Sequence, residues 1–264
     1  ESTDASYATG ALPVGSVTYR IYADLLPGYK LNSVYADGTR EQTLIIKTST
    51  TFYNNPAGSY TPIPSVKKAQ LVSAPLLALD SYLTLGGAAA GHFGVPKEED
   101  DAAASFFTSS TPGGVLLNNA ADVMGKPLTE KDGFIAGTGF PTPSFLGVDA
   151  AMTDVLGDGS VIGDSVGVAD GVYYSTSGAR GLDTISNKVL IAQVTTNGKL
   201  EFHLNVTIQN GNDPNQQYFV ARNPQPAGNN PTADVVIPSL NYPDSTVTDI
   251  ATPTIKTYND VLFS

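Results

Sequence analysis

The chain of 264 residues contains no cysteine and no tryptophan, and its only histidines are His92 and His203. Without cysteine, the protein has no disulfide bonds, iron–sulfur clusters, zinc–thiolate sites or thiol nucleophiles. Neither histidine has a partner at the spacing of a zinc site. The absence of tryptophan removes the broadest aromatic ring on which carbohydrate-binding faces rely. Zinc and thiol chemistry are therefore not expected.

Charged residues are also scarce, at 15% of the chain against about 25% in ordinary soluble domains. Acidic residues number 25 and basic residues 14, so the net charge is −11. A field of that sign repels nucleic acid and anionic lipid, and no cluster of basic residues offsets it. No run of 18 apolar residues is present, which argues against a membrane-spanning helix. We expect neither nucleic-acid binding nor membrane insertion.

Turn-forming residues are abundant instead, with 26 glycines and 18 prolines. Residues 16–24, 31–36 and 43–53 alternate in polarity or are rich in β-branched and aromatic side chains, which predicts three strands. The first of them, residues 16–24, is expected to be half-buried. Pro27-Gly28 predicts the first connecting turn and Asp37-Gly38 a hairpin. These three strands are expected to form a meander.

The strongest hairpin signal lies later in the chain. Residues 189–195 and 200–208 flank Asn197-Gly198, a pair typical of a type I′ turn. Residues 71–85 favour a short helix or a buried strand, and residues 86–111 a long surface loop. The sequence predicts an all-β protein, a β-sandwich of one domain over residues 16–246. Polar tails or strands are expected at residues 1–15 and 247–264.

Three blocks of sequence resemble a known type of domain. They are Thr18-Tyr19-Arg20-Ile21-Tyr22-Ala23-Asp24 with the two segments 31–35 and 52–55, then residues 80–86, then residues 190–198 with 204–206. Together they resemble a poorly characterised extracellular β-domain of secreted and surface proteins of Bacteroidetes-type bacteria. The resemblance implies export and a place at or outside the cell surface, and it implies no particular activity. Because the first residue is Glu1, we expect that a signal peptide was removed.

One segment matches the nucleophile motif of α/β-hydrolases, Gly163-Asp164-Ser165-Val166-Gly167. That motif needs a strand-to-helix turn at the serine, and the residues after Gly167 do not predict a helix. His203 follows in the chain, but it stands in an alternating strand and is expected to face solvent. We therefore predict no enzyme, with a serine hydrolase using Ser165 as the second alternative.

A cation site is a further candidate. A glycine-rich region contains Asp154, Asp158 and Asp164 together with Asp170. Calcium is bound by carboxylate and carbonyl oxygens in loops of this kind. The spacing is not that of an EF-hand. The alternative is that these residues serve turns alone. The acidic run at 98–101 is a weaker candidate, since such runs are usually solvated.

Two surface features bear on glycans. Five tyrosines cluster near the N-terminus and offer either a glycan-binding face or ordinary strand packing, the latter favoured by strand propensity: Tyr19, Tyr22, Tyr29, Tyr35 and Tyr53. Asn205-Val206-Thr207 matches the N-glycosylation sequon, although it lies within a predicted strand.

The function that this sequence favours is an extracellular structural or adhesive surface protein, in which a self-assembling subunit forms a fibre or layer by β-strand addition. The threonine-rich tail is the candidate added strand, with Val247, Ile250 and Ile255 as its apolar positions. The alternative is a binding module for surface glycans, or one dependent on calcium. Partners are accordingly further copies of the chain or glycans.

Overall fold

The computed structural model describes residues 12–13, 16–40, 43–63, 65–96, 133–213, 215–221, 235–236, 241–242 and 260–263. Within these residues the strands are β1 (Val17–Asp24), β2 (Tyr29–Ala36), β3 (Leu44–Thr48), β4 (Tyr82–Leu83), β5 (Gly87–Ala89), β6 (His92–Gly94), β7 (Phe134–Ala136), β8 (Ser144–Leu146), β9 (Ser165–Val168), β10 (Gly171–Ala179), β11 (Lys188–Thr196), β12 (Leu200–His203), β13 (Val206–Asn210), β14 (Gln217–Ala221), β15 (Val235–Val236), β16 (Asn241–Tyr242) and β17 (Asp260–Phe263). The helices are short: α1 (Lys68–Ser73), α2 (Ala150–Asp154) and 3₁₀ turns at Gly38–Arg40 and Pro75–Leu79.

The strands form four sheets, and most neighbouring strands are antiparallel. The strand orders are β17-β1-β11-β4, β15-β14-β13-β2-β10-β8, β16-β12-β3-β9 and β5-β6-β7. Among the described pairs, β1 with β17 and β14 with β15 are parallel. The prediction of an all-β, sandwich-like fold is confirmed.

The β1–β11 pair lies at the centre of the molecule and is covered on both faces. Ile21 and Ile191 belong to the larger apolar core, shared with the six-stranded sheet and the β3 sheet. The neighbouring Tyr22 and Leu190 point the other way, into a second core formed by the 3₁₀ turn Pro75–Leu79 and the small sheet. Alternation of exposed and buried residues is therefore lost in this pair, and the prediction that residues 16–24 form a half-buried strand is wrong over positions 20–23.

The predicted meander is also wrong. β1 and β2 form close to their predicted bounds, and β3 ends at Thr48, short of the predicted residue 53. Each of the three lies in a different sheet. β1 pairs with β11, β2 with β10 and β13, and β3 with β9 and β12. The turn at Gly28 has the expected positive φ of 86°. Gly38 begins a 3₁₀ turn instead of closing a hairpin.

Asn197-Gly198 forms a corner between sheets instead of the predicted hairpin. β11 and β12 belong to different sheets, and neither Asn197 nor Gly198 has a positive φ. Glycine is required because the chain passes close to the end of β3: a Cβ on Gly198 would lie 2.7 Å from the Thr50 nitrogen. Such a separation is too short for a real side chain, so close approach explains this glycine.

Residues 71–85 combine both predicted alternatives. The segment begins in α1, continues through the 3₁₀ turn Pro75–Leu79 and ends in the buried strand β4. The start of the predicted surface loop is different: β5 and β6 pair as part of the small sheet, and Ala88, Ala89 and Phe93 are buried. Residues 97–132, which include the acidic run, lie outside the described residues.

The two predicted tails are described only in part. In the first, Leu12 packs into the second apolar core. In the second, Asp260–Phe263 forms β17, whereas Val247, Ile250 and Ile255 lie outside the described residues. In the described part of the chain, no helix is both long and apolar enough to cross a membrane.

Candidate functional site

The parallel pairing of β17 with β1 is the feature that bears most directly on assembly. The register runs from Arg20 opposite Asp260 to Ala23 opposite Phe263. β17 is the outermost strand of its sheet, so β1 would present its own edge if β17 left. The sequence placed an added strand within residues 247–255, and the described strand lies farther along the chain. No sequence signal identified the edge of β1 as its acceptor.

A polar network fixes β1 just beneath this edge. Arg20 is buried, and its Nη1 donates to the carbonyl oxygens of Val95 at 3.2 Å and Gly133 at 3.0 Å. Its guanidinium also lies 4.8 Å from the centre of the Phe134 ring, within cation–π range. Gly133 has no room for a side chain, because a Cβ there would lie 2.7 Å from the Val95 oxygen. β1 is thus anchored to the residues that flank β6 and β7 through contacts that do not involve β17.

The structure places Ser165 and His203 on opposite sides of β3. Ser165 opens β9 opposite Lys47, and His203 ends β12 opposite Ile45. Two strand spacings separate their backbones by roughly 10 Å, which is beyond hydrogen-bond reach for a serine–histidine pair. A strand, β10, follows β9, so the strand-to-helix turn of the hydrolase motif is not formed. The two residues are not brought together.

His203 instead belongs to a small ionic cluster on the outer face of this sheet. Glu201 Oε1 lies 3.1 Å from Lys47 Nζ and 3.4 Å from His203 Nε2. The hydrogen bond from Lys47 is the main cause that lowers the pKa of the Glu201 carboxyl, and His203 adds to it. Because these side chains are well exposed, the cluster resembles an ordinary surface ion pair, which contributes little stability.

The three aspartates proposed as calcium ligands occupy separate turns. Asp154 ends α2, and its carbonyl accepts from Gly157. Asp158 accepts from the Ser160 nitrogen at 2.9 Å, and hydrogen bonds from Ser160 lower the pKa of its carboxyl. Asp164 is exposed, and its carbonyl accepts from the Thr48 nitrogen. Among the described residues, no three acidic or histidine side chains group as a metal site. Calcium binding stays a prediction.

The five N-terminal tyrosines divide between packing and surface. Tyr22 and Tyr53 are buried in the second core, and Tyr19 and Tyr29 pack against the first. Tyr35 is half-buried and lies 5.9 Å from Phe219, edge to face. Packing therefore explains four of the tyrosines, and Tyr35 lines a pocket on the outer face of the six-stranded sheet.

Asn205, the asparagine of the sequon, is buried between β12 and β13. Its Nδ2 donates to the carbonyl oxygens of Tyr35 at 3.0 Å and Thr43 at 3.1 Å. With 2% of its surface exposed, the amide has no room for a glycan in the folded protein. The residue joins the ends of β2 and β3 instead.

Comparisons with protein-family models, curated proteins and solved structures give no match. The resemblance to secreted bacterial surface domains therefore stays a prediction.

Proposed function

We propose that this protein is an extracellular structural or adhesive subunit that assembles with further copies of itself by strand addition. One observation carries the proposal: β17 lies parallel to the outer edge of β1, paired from Arg20–Asp260 to Ala23–Phe263. The pairing uses backbone groups, which any segment of suitable sequence can supply.

The position of β17 in the chain supports exchange between copies. Residues 243–259 separate it in sequence from β16, which belongs to another sheet. The ladder between β17 and β1 needs the same hydrogen bonds whether the two strands belong to one chain or to two. Exchange of such a terminal element between identical protomers is a low-cost route to assembly.

The geometry of the exchange favours a filament. The donating surface is β17 and the accepting surface is the edge of β1, so a contact between two copies is head-to-tail. Each copy that receives a strand still has its own β17 to donate. Repeated contacts of this kind form a filament if the rotation between successive copies does not close, and a ring if it does.

An unpaired β1 edge would expose a protein outside the cell to aggregation by strand pairing. β1 has eight residues, and removal of β17 would leave one side of its backbone without partners. Long open edges promote uncontrolled pairing. Pairing of this edge with β17 of a neighbouring copy replaces the open edge with an ordered interface. Export to the cell surface is part of the proposal and rests on the resemblance of the sequence blocks.

Engineered cysteines test the exchange directly, since the chain has none of its own. Ala23→Cys and Phe263→Cys stand at paired Cα positions of neighbouring strands, and the usual strand spacing of roughly 5 Å suits a disulfide. One batch of protein carries only the first substitution and another only the second. If strands exchange, mixing the two batches under oxidising conditions gives linked dimers, and electron microscopy of the unsubstituted chain shows filaments.

The doubly substituted chain is the matched control. Intrachain pairing gives a monomer with an internal disulfide, and this species confirms that the two positions meet. A double variant that closes internally, while the mixed single variants stay unlinked at high concentration, would rule out exchange. Truncation at residue 259 is expected to abolish filaments without unfolding the sandwich.

A further inference from the structure

A concave pocket opens on the outer face of the six-stranded sheet, across β2, β10, β13 and β14. Its volume is about 490 Å³, within the range of small-molecule sites. Ser33 and Thr207 line it and are paired across β2 and β13. Both residues are at least nine-tenths buried.

Strand alternation explains why polar and aromatic groups converge at this place. Val34 and Ala36 of β2 point into the core. The intervening Tyr35, together with Ser33 and Asp37, lies on the opposite face of the strand. These three residues line the pocket, and Ala36 at the end of β2 borders it as well.

Two aromatic rings form one side of the pocket. The Tyr35 and Phe219 rings stand edge to face at 88°, with centres 5.9 Å apart. Both residues are half-buried, so each ring has a packed side and a side open to the pocket. Aromatic rings in this setting provide rigid apolar surface for the C–H groups of a ligand.

Two carboxylates also line the pocket. Ala36 pairs with Gly171 at the end of the β2–β10 ladder, and Asp37 and Asp170 are the residues directly beyond this pair in the two chain segments. A Cβ on Gly38 would lie 3.6 Å from the Asp170 Cβ, so the two turns are in close contact. Both side chains therefore bring hydrogen-bond acceptors to the same pocket.

We propose that this pocket binds a neutral sugar ring. A sugar offers C–H groups to the rings of Tyr35 and Phe219 and hydroxyl donors to the carboxylates of Asp37 and Asp170. Hydrogen bonds from hydroxyls to carboxylates are among the stronger ones. None of the described lining residues is basic, and the protein has a net charge of −11, so acidic sugars are disfavoured. The site is separate from the β1 edge that assembly would use.

Saturation-transfer NMR with cellobiose, maltose and lactose, each in the presence of EDTA, tests the site. At least one of these sugars should receive saturation at its ring C–H groups, and glucuronate should receive much less. Tyr35→Ala should abolish the transfer. Asp170→Asn removes an exposed charge without changing shape and should weaken binding about tenfold.

Tyr218→Ala is the matched control, because Tyr218 lies beside Phe219 on β14 but does not line the pocket. It should leave binding unchanged, and melting temperatures should show that each variant folds. The proposal is overturned by an absence of transfer to all three sugars, or by transfer that Asp170→Asn does not weaken. It is also overturned if binding appears only after calcium is added, since direct recognition by the carboxylates would then be wrong.

Discussion

Arg20 and Gln193 lie opposite each other on β1 and β11, and the Arg20 Nε donates a hydrogen bond of 2.8 Å to the Gln193 Oε1. The same oxygen accepts from the Tyr82 hydroxyl at 3.3 Å. The Gln193 Nε2 donates to the carbonyl oxygens of Ala78 at 3.0 Å and Asp80 at 2.7 Å. One buried amide thus connects the central strand pair to β4 and to the 3₁₀ turn before it.

Gln193→Leu is expected to lower the free energy of unfolding by about 3 kcal/mol, because it leaves buried carbonyls and a guanidinium N–H without their partner. Urea denaturation measures the loss. Gln217→Leu on β14 is the control and should change stability by less than about 0.5 kcal/mol. Equal effects of the two substitutions would show that the network adds nothing beyond its apolar surroundings.

The Asp80 carboxyl should make the protein less stable as pH rises. It is 1% exposed and accepts from the backbone nitrogens of Asn55 at 2.7 Å and Ser59 at 3.1 Å. Burial raises its pKa well above the ordinary 3.8, although these N–H groups act in the opposite direction. Between the unfolded and folded pKa values the folded chain holds the extra proton, so the free energy of unfolding falls with increasing pH.

The expected slope is about 1.4 kcal/mol per pH unit within that window. Denaturation curves measured from pH 3.8 upward should show it as a difference between the wild type and Asp80→Asn, which does not titrate. A stability difference that is constant with pH would mean that the backbone N–H groups outweigh burial. NMR titration of the Asp80 carboxyl carbon gives the folded pKa independently.

The local sequence pattern predicts where several strands form, but it does not predict which strands pair with one another. Alternation and β-branched residues located β1, β2 and β11 closely, since those signals depend on neighbouring residues. The single strand predicted over residues 200–208 is wrong, because the chain divides there into β12 and β13 in two different sheets. Pairing depends on distant ones: Thr18 bonds to Thr195 through their hydroxyls at 2.7 Å, across most of the chain. β1, β2 and β3 follow one another in the chain and were therefore predicted to form one meander, although they lie in three sheets.

The candidate pocket likewise depends on strand pairing that the local sequence does not predict. Tyr35 and Asp37 stand two residues apart on one strand, so the sequence places them on the same face. Asp170 lies in a glycine-rich stretch that was interpreted as a source of calcium ligands or turns. It directly precedes Gly171, which pairs with Ala36, so only the β2–β10 register brings it near Asp37. Nothing in the local sequence of either strand specifies that register.

Substitutions at the Asn197-Gly198 corner distinguish close approach from a type I′ turn. Gly198→Ala should lower the free energy of unfolding by about 1–3 kcal/mol, because the new Cβ would overlap Thr48 and Thr50 at the end of β3. Asn197 is exposed and has no positive φ, so Asn197→Ala should cost less than about 0.5 kcal/mol. In a type I′ turn both positions require positive φ, and both substitutions would then affect stability.

Asn205→Asp tests whether this asparagine is a structural clamp. The substitution replaces the Nδ2 donor with an oxygen, which would face the carbonyl oxygens of Tyr35 and Thr43 at about hydrogen-bond distance. Two buried acceptors lose their donor and a buried charge is added, so a loss of about 3 kcal/mol or more is expected. Asn212→Asp, in the exposed turn after β13, should change stability by less than about 0.5 kcal/mol. Equal denaturation midpoints for the two variants would mean that the loops after β2 and before β3 hold their positions without Asn205. A lower midpoint for Asn205→Asp alone would identify the Asn205 amide as the contact that fixes the corner beside the pocket.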